Sequence, residues 1–265
     1  LTATTDTSAI RALLASRTAL VRAEALHAVT VDGTHTDDAI RASSDRHRRV
    51  RAVAQGALIR AGLDPAEHYR RLITQTPPAP AVIAGLGETG NSADADLIRP
   101  WLAHDRVRGR VAAVRALRRF DAAGPTELIP LLRDPSGAVT RRAVAGLLPH
   151  AGDIPQPLLE ALLAQPNPPN IRLAGHRLLA VGDPWLRLIT DLRLVDDPDP
   201  RLRAAARADL TAWLHWEAAT VYRCPRPDQA VALDHLVEHA RPILGDHCCT
   251  LLRFHASLTT TRSTL

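Results

Sequence analysis

The sequence predicts an all-α protein: a right-handed solenoid of about seven short helical hairpins over residues 7–220, closed by a C-terminal helical cap over residues 221–265. Three observations predict it. A template of Asp, Val, Arg, Ala and Leu, as in Asp45, Val50, Arg51, Ala54 and Leu58, recurs about every thirty residues. Within a copy Val, Ala and Leu stand four apart, which places them on one stripe of a helix. Hydrophobic residues make up 46% of the chain but aromatics only 3%, so small aliphatic side chains supply the core, as suits closely packed helices.

The copies follow one another in order. Ser16, Val21, Arg22, Ala25 and Val29 form the first, and "DRHRRVRAVAQGAL" from Asp45 holds the second. A poor third copy, "PPAPAVIAGLGETG", lacks both Asp and Arg. His104, Gly109, Arg110, Ala113 and Leu117 make a degraded fourth. The fifth is Asp134, Val139, Thr140, Ala143 and Leu147, where Arg141 is expected to replace the missing Arg. Pro166, Ile171, Arg172, Gly175 and Leu179 form the sixth, and Asp197, Leu202, Arg203, Ala206 and Leu210 the seventh. An apolar helix precedes each: "SAIRALLAS", "DDAIRASS", "AEHYRRLIT", "ADLIRPWLA", "TELIPLLR", "PLLEALLAQ" and "WLRLITDLRLV". Each copy is therefore a helix pair, with Ser92 and Thr126 expected as N-caps and Pro- or Gly-containing clusters at the turns.

These residues resemble the HEAT-repeat family in its short form of about thirty residues, over roughly residues 7 to 215. The resemblance rests on the Asp-x4-Val-Arg turn and on a proline inside the first helix, Pro100 in "LIRPWL" and Pro130 in "ELIPLL", where it kinks a helix by removing one hydrogen bond. It implies that Asp45, Asp134 and Asp197, with Arg22, Arg51, Arg110, Arg172 and Arg203, form a structural ladder along the stack. It also implies that the second helices line a concave, partner-binding side. Reading outside the apolar stripe of those helices gives Gln55 and Arg60, then Arg115, Arg118 and Arg119, then His176 and Arg177, then Arg207, with Arg142 beside this track. The face from Arg115 to Arg207 is expected to hold an acidic ligand, either a protein or peptide segment or a phosphate backbone.

All 33 basic residues are arginine, and 28 acidic groups leave a formal net charge of only +5. That is a mixed surface, which permits a polyanionic partner without demanding one. Nucleic acid is the less favoured ligand, because stacking aromatics and glycine-rich phosphate loops are missing. Alkylpurine DNA glycosylases do use a HEAT-like basic groove, but here only Trp213, Trp216 and Glu217 in "WLHWEAA" hint at a carboxylate framed by tryptophans. Bilin lyases are also built from short HEAT-like repeats, so an enzyme subunit of lyase type stays open without a supporting residue. Cys224, Cys248 and Cys249 make no even framework of disulfides, which points to a reducing compartment. With no long apolar run and no signal-like N-terminus, a cytoplasmic protein with no membrane association is expected.

The tail concentrates His235, His239, His247, Cys248, Cys249 and His255. Two histidines four apart on a helix have metal-pair spacing, and a nearby thiolate completes the donor types of a structural zinc shell. Against this, Leu233, Leu236, Val237 and Ala240 define the buried stripe, and His235 and His239 point away from it. No cofactor is otherwise expected, and no catalytic residue is assigned: no nucleophile elbow, phosphate loop or dinucleotide fingerprint appears. "DGTHTDD", Asp32 to Asp38, has cation-binding residue types but equally the composition of an inter-repeat loop. The leading reading is a non-catalytic scaffold that receives a protein or peptide.

Overall fold

The computed structural model describes residues 9–31, 35–75 and 77–258, so Asp32, Gly33 and Thr34 of the "DGTHTDD" loop lie outside the described residues. Every regular element among the described residues is helical. The chain divides into two compact units, Leu1–Gly124 and Pro125–Leu265.

The first unit contains four successive helix pairs: α1 (9–14) with α2 (Ala19–Thr30), α3 (Thr36–Ala42) with α4 (Arg48–Arg60), α5 (Pro65–Ile73) with α6 (Pro80–Thr89), and α7 (Ala95–Ile98) with α8 (Val107–Arg119). The poor third copy is thus a full hairpin. Its core joins Tyr69, Ile73, Val82, Ile83 and Leu86 to Ile98, Ala113 and Leu117 of the next pair. Burying such side chains contributes about 1.5 to 3 kcal/mol each. Burial across pairs is needed because one thin hairpin cannot cover its own apolar face.

The second unit continues with α9 (Pro125–Leu128) and α10 (Gly137–Leu147), α11 (Gln156–Leu163) and α12 (Pro169–Leu179), α13 (Pro184–Leu194) and α14 (Pro200–Trp216). A final pair follows, α15 (Pro227–Leu244) and α16 (Asp246–His255). This last pair shares one core with the preceding hairpin, in which Trp185, Leu188, Leu192, Leu210 and Trp213 pack with Leu233, Val237, Cys249 and Leu252. Asp183 fastens the junction: it accepts from Trp185 N–H at 2.9 Å, capping α13, and from Gln229 Nε2 at 2.7 Å.

Two local expectations are corrected. Pro100 and Pro130 do not kink continuous helices; each opens or enters a 3-10 segment, Arg99–Ala103 and Pro130–Arg133, after only one α-helical turn. A proline supplies no N–H and crowds the preceding turn, so the tighter winding replaces the α-helix there. Nor are Ser92 and Thr126 the caps. Asn91 accepts from Ala93 N–H at 2.9 Å, and Thr126 lies inside α9.

Candidate functional site

The arginines divide by surroundings into a set used by the turns and a set left at the surface. Arg22, in α2, donates to the carbonyls of Ser16 and Arg17 in its own turn, and grips Asp45 of the next turn through Nε at 2.8 Å and Nη2 at 2.9 Å. Asp45 uses its Oδ1 to cap His47 N–H at 2.7 Å. Burial pushes the Asp45 carboxyl up, but the Arg22 hydrogen bonds, the His47 N–H and the charge of Arg22 together outweigh it and hold the group below the usual carboxylate range. Arg51 donates to Asp45 C=O at 2.9 Å and, because the third copy has no Asp, takes Glu88 of α6 instead, Nε to Oε2 at 3.0 Å. Arg110 donates to the carbonyls of His104 and Asp105, and Arg203 to those of Asp197 and Pro198. Arg172 bonds Leu163 C=O and both oxygens of Asp197.

The degraded copies keep this chemistry with other residues. His104 replaces the anchor aspartate, its Nδ1 accepting from Arg106 N–H at 2.9 Å while Nε2 reaches Pro78 C=O at 3.1 Å. That larger ring explains Gly109, since a Cβ there would overlap the His104 imidazole. Asp134 is buried and caps Ser136 N–H at 2.7 Å. Where Thr140 replaces the arginine, Asn170 Nδ2 donates to Asp134 C=O at 3.1 Å. Arg141 is exposed and does not take over, because it lies one residue, about 100°, round the helix from the turn-facing position.

The surface set is Arg115, Arg118 and Arg119 on α8 in the first unit, with Arg142 on α10 and Arg177 on α12 in the second. All five are exposed and none enters an ion pair among the described residues. Arg207 is exposed too, though its Nη2 donates to Val195 C=O at 3.2 Å. Gln55 is not a surface donor: it bonds Glu88 at 3.1 Å and the Tyr69 hydroxyl at 3.3 Å.

His176 is corrected. Counting along the repeat assigned it to the partner-facing track, but it is 5% exposed. Helices α13 and α14 cover it with a polar set that sequence reasoning missed. His176 Nε2 lies 2.6 Å from Asp191 Oδ1 of α13, and Asp191 is fully buried. Asp209 of α14 joins them, and the donor atoms of the three residues all lie within 4.8 Å of one another. Arg187 clamps Asp209, Nε to Oδ2 at 2.6 Å and Nη2 to Oδ1 at 2.7 Å, and its Nη1 holds Glu217 at 2.8 Å. Burial drives the Asp191 carboxyl up to about 7, against the opposing pull of His176. Burial acts on Asp209 in the same sense, but its neighbours, Arg187 foremost and Asp191 and His176 with it, together outweigh burial and leave that carboxyl below the usual range. His176 Nδ1 and Asp191 Oδ2 are buried without a hydrogen-bond partner.

The tail residues whose types and spacing allowed a structural zinc as the lesser alternative to surface histidines do not form a donor cluster among the described residues. His235, His239 and His247 are exposed, Cys248 is half-buried, and among the described residues the only cluster of metal-donor side chains is His176, Asp191 and Asp209. The trio in "WLHWEAA" also disperses: Trp213 is fully buried in the core, Trp216 is 81% exposed, and Glu217 holds Arg187.

No family model matches the sequence, and no curated protein matches it. Among solved structures, the chain is similar to the complex of CpcE and CpcF of phycocyanin lyase from Nostoc sp. PCC7120, at 19% identity and a TM-score of 0.39, over 84% of this chain and 94% of that chain. The likeness is one of helical fold. Among the described residues no helix is long and apolar enough to cross a membrane.

Proposed function

We propose that the chain is a protein-binding helical-repeat subunit, each unit of which offers its own second helices to an acidic segment of a partner. The contrast between the two arginine sets carries this reading. The turn arginines are consumed by carbonyls and carboxylates of the fold, whereas Arg115, Arg118, Arg119, Arg142 and Arg177 are exposed and unpaired. An unpaired guanidinium offers planar donors matched to carboxylate, and α8 presents three of them within one helical turn. Charge reversal tests it: Arg115→Glu with Arg119→Glu in one variant, Arg142→Glu with Arg177→Glu in another. Fluorescence anisotropy with a labelled glutamate-rich peptide should show binding weakened at least about tenfold, roughly 1.4 kcal/mol. Duplex DNA bound more tightly than the peptide, with a steep salt dependence, would transfer the surface to nucleic acid. Binding to neither would end both ideas.

An enzyme subunit of lyase type is the second reading, consonant with the name of the similar helical complex. It shares with the first the need for a protein partner. A visible absorption band left on a thiol-bearing acceptor protein after incubation with the chain and a free bilin would favour it; an unmodified acceptor would leave the scaffold.

A further inference from the structure

We propose that His176, Asp191 and Asp209 form a binding site for a divalent transition-metal ion of the zinc class. The inference is independent of the protein-binding reading. Three consecutive helices, α12, α13 and α14, each contribute one donor, and the three donor atoms lie within 4.8 Å of one another. One imidazole nitrogen with two carboxylate oxygens is a set suited to a borderline cation, since magnesium and calcium prefer oxygen alone.

The second observation is the unsatisfied polarity at its centre. Asp191 is 0% exposed and His176 5%, yet Asp191 Oδ2 and His176 Nδ1 have no hydrogen-bond partner. Buried polar atoms are normally paired, so an orphaned carboxylate oxygen beside a second carboxylate marks a place where positive charge is missing. Arg187 does not supply it to Asp191. All its hydrogen bonds run to Asp209 and Glu217. With Arg187 balanced by Glu217 and the imidazole neutral, the two carboxyl groups in their ionised, metal-binding form match the charge of one divalent ion. The Arg187 clamp, itself held by Glu217, also fixes the orientation of Asp209, the part that outer hydrogen bonds play around protein-bound metals.

The test uses the full chain dialysed against a chelator, given one equivalent of Zn2+ and desalted, with bound metal measured by elemental analysis. Co2+ as a second probe reports inner-sphere coordination through its visible absorption. The wild type should retain about one ion per chain. Asp191→Asn, Asp209→Asn and His176→Gln should each lose that retention, Glu217→Gln should weaken binding by about 10- to 100-fold, and His235→Gln with His239→Gln should change nothing. Far-UV circular dichroism shows whether each variant is folded. If the buried variants do not fold, the wild-type Co2+ spectrum and its displacement by Zn2+ decide. Failure of the wild type to retain metal overturns the proposal. So does equal retention in the three donor variants, or loss of retention in the His235 and His239 variant.

Discussion

Arg172 and Asp197 close on each other at two points, 25 residues apart in sequence and buried together. The same Asp197 caps Asp199 N–H at 2.9 Å, and its carbonyl accepts from Arg203 at 2.6 Å. One aspartate therefore ties two hairpins and one helix start.

Removing one partner of a buried ion pair strands the other, at a cost of about 3 to 5 kcal/mol. Arg172→Met is expected to destabilise by that amount in guanidinium unfolding. Arg203→Met loses only bonds to carbonyls and should cost about 1 kcal/mol. Equal losses would show that the carboxylate pair is not what matters.

Acid should loosen the same ties. The Arg70 hydrogen bond holds Asp94 below the usual carboxylate range, and in Asp45 and Asp197 the arginine and backbone hydrogen bonds, with the arginine charge, together overcome the upward push of burial to do the same. A carboxyl whose pKa is depressed on folding contributes stability that is present above its ordinary value, about 3.9, and lost as pH falls through the folded value. The urea midpoint should therefore drop as pH falls below about 4, and the drop should be smaller in Arg22→Met, where Asp45 loses the arginine that depresses its pKa.

Tyr69 lies against Gly85, with its hydroxyl donating to Ser43 C=O at 2.7 Å; burial drives its phenol up to about 12. A Cβ at Gly85 would overlap the ring, so Gly85→Ala is expected to destabilise by about 1 to 3 kcal/mol. Tyr69→Phe leaves the buried Ser43 carbonyl unpaired and should cost about 1 to 3 kcal/mol. Thermal melts of both variants check this, and an unchanged Tm for Gly85→Ala would contradict the packing described.

His104 and Gly109 should be energetically coupled. Gly109→Val alone drives a side chain into the imidazole, whereas Gly109→Val with His104→Asp rebuilds the residue pair of the second copy, Asp45 with Val50. In a double-mutant cycle the double variant should be more stable than the sum of the two single changes predicts, by about 0.5 to 3 kcal/mol. Strict additivity would refute it.

The hairpin succession and the turn arginines were legible in the sequence because both are local. Val50, Ala54 and Leu58 mark one helix face by spacing alone, and Arg51 reaches a carbonyl six residues back. Which acid each arginine takes was not legible: Arg51 passes over the missing anchor of the third copy to Glu88, 37 residues away, a choice made by how neighbouring hairpins pack. His176 shows the same limit. Periodicity assigns a residue to a face, at about 100° per residue, but not what covers that face. Asp191 and Asp209 occupy helix positions that look like ordinary surface acids in the sequence. The crossing of α13 and α14 over α12 turned them inward, and so converted a counted surface histidine into the centre of a buried polar cluster.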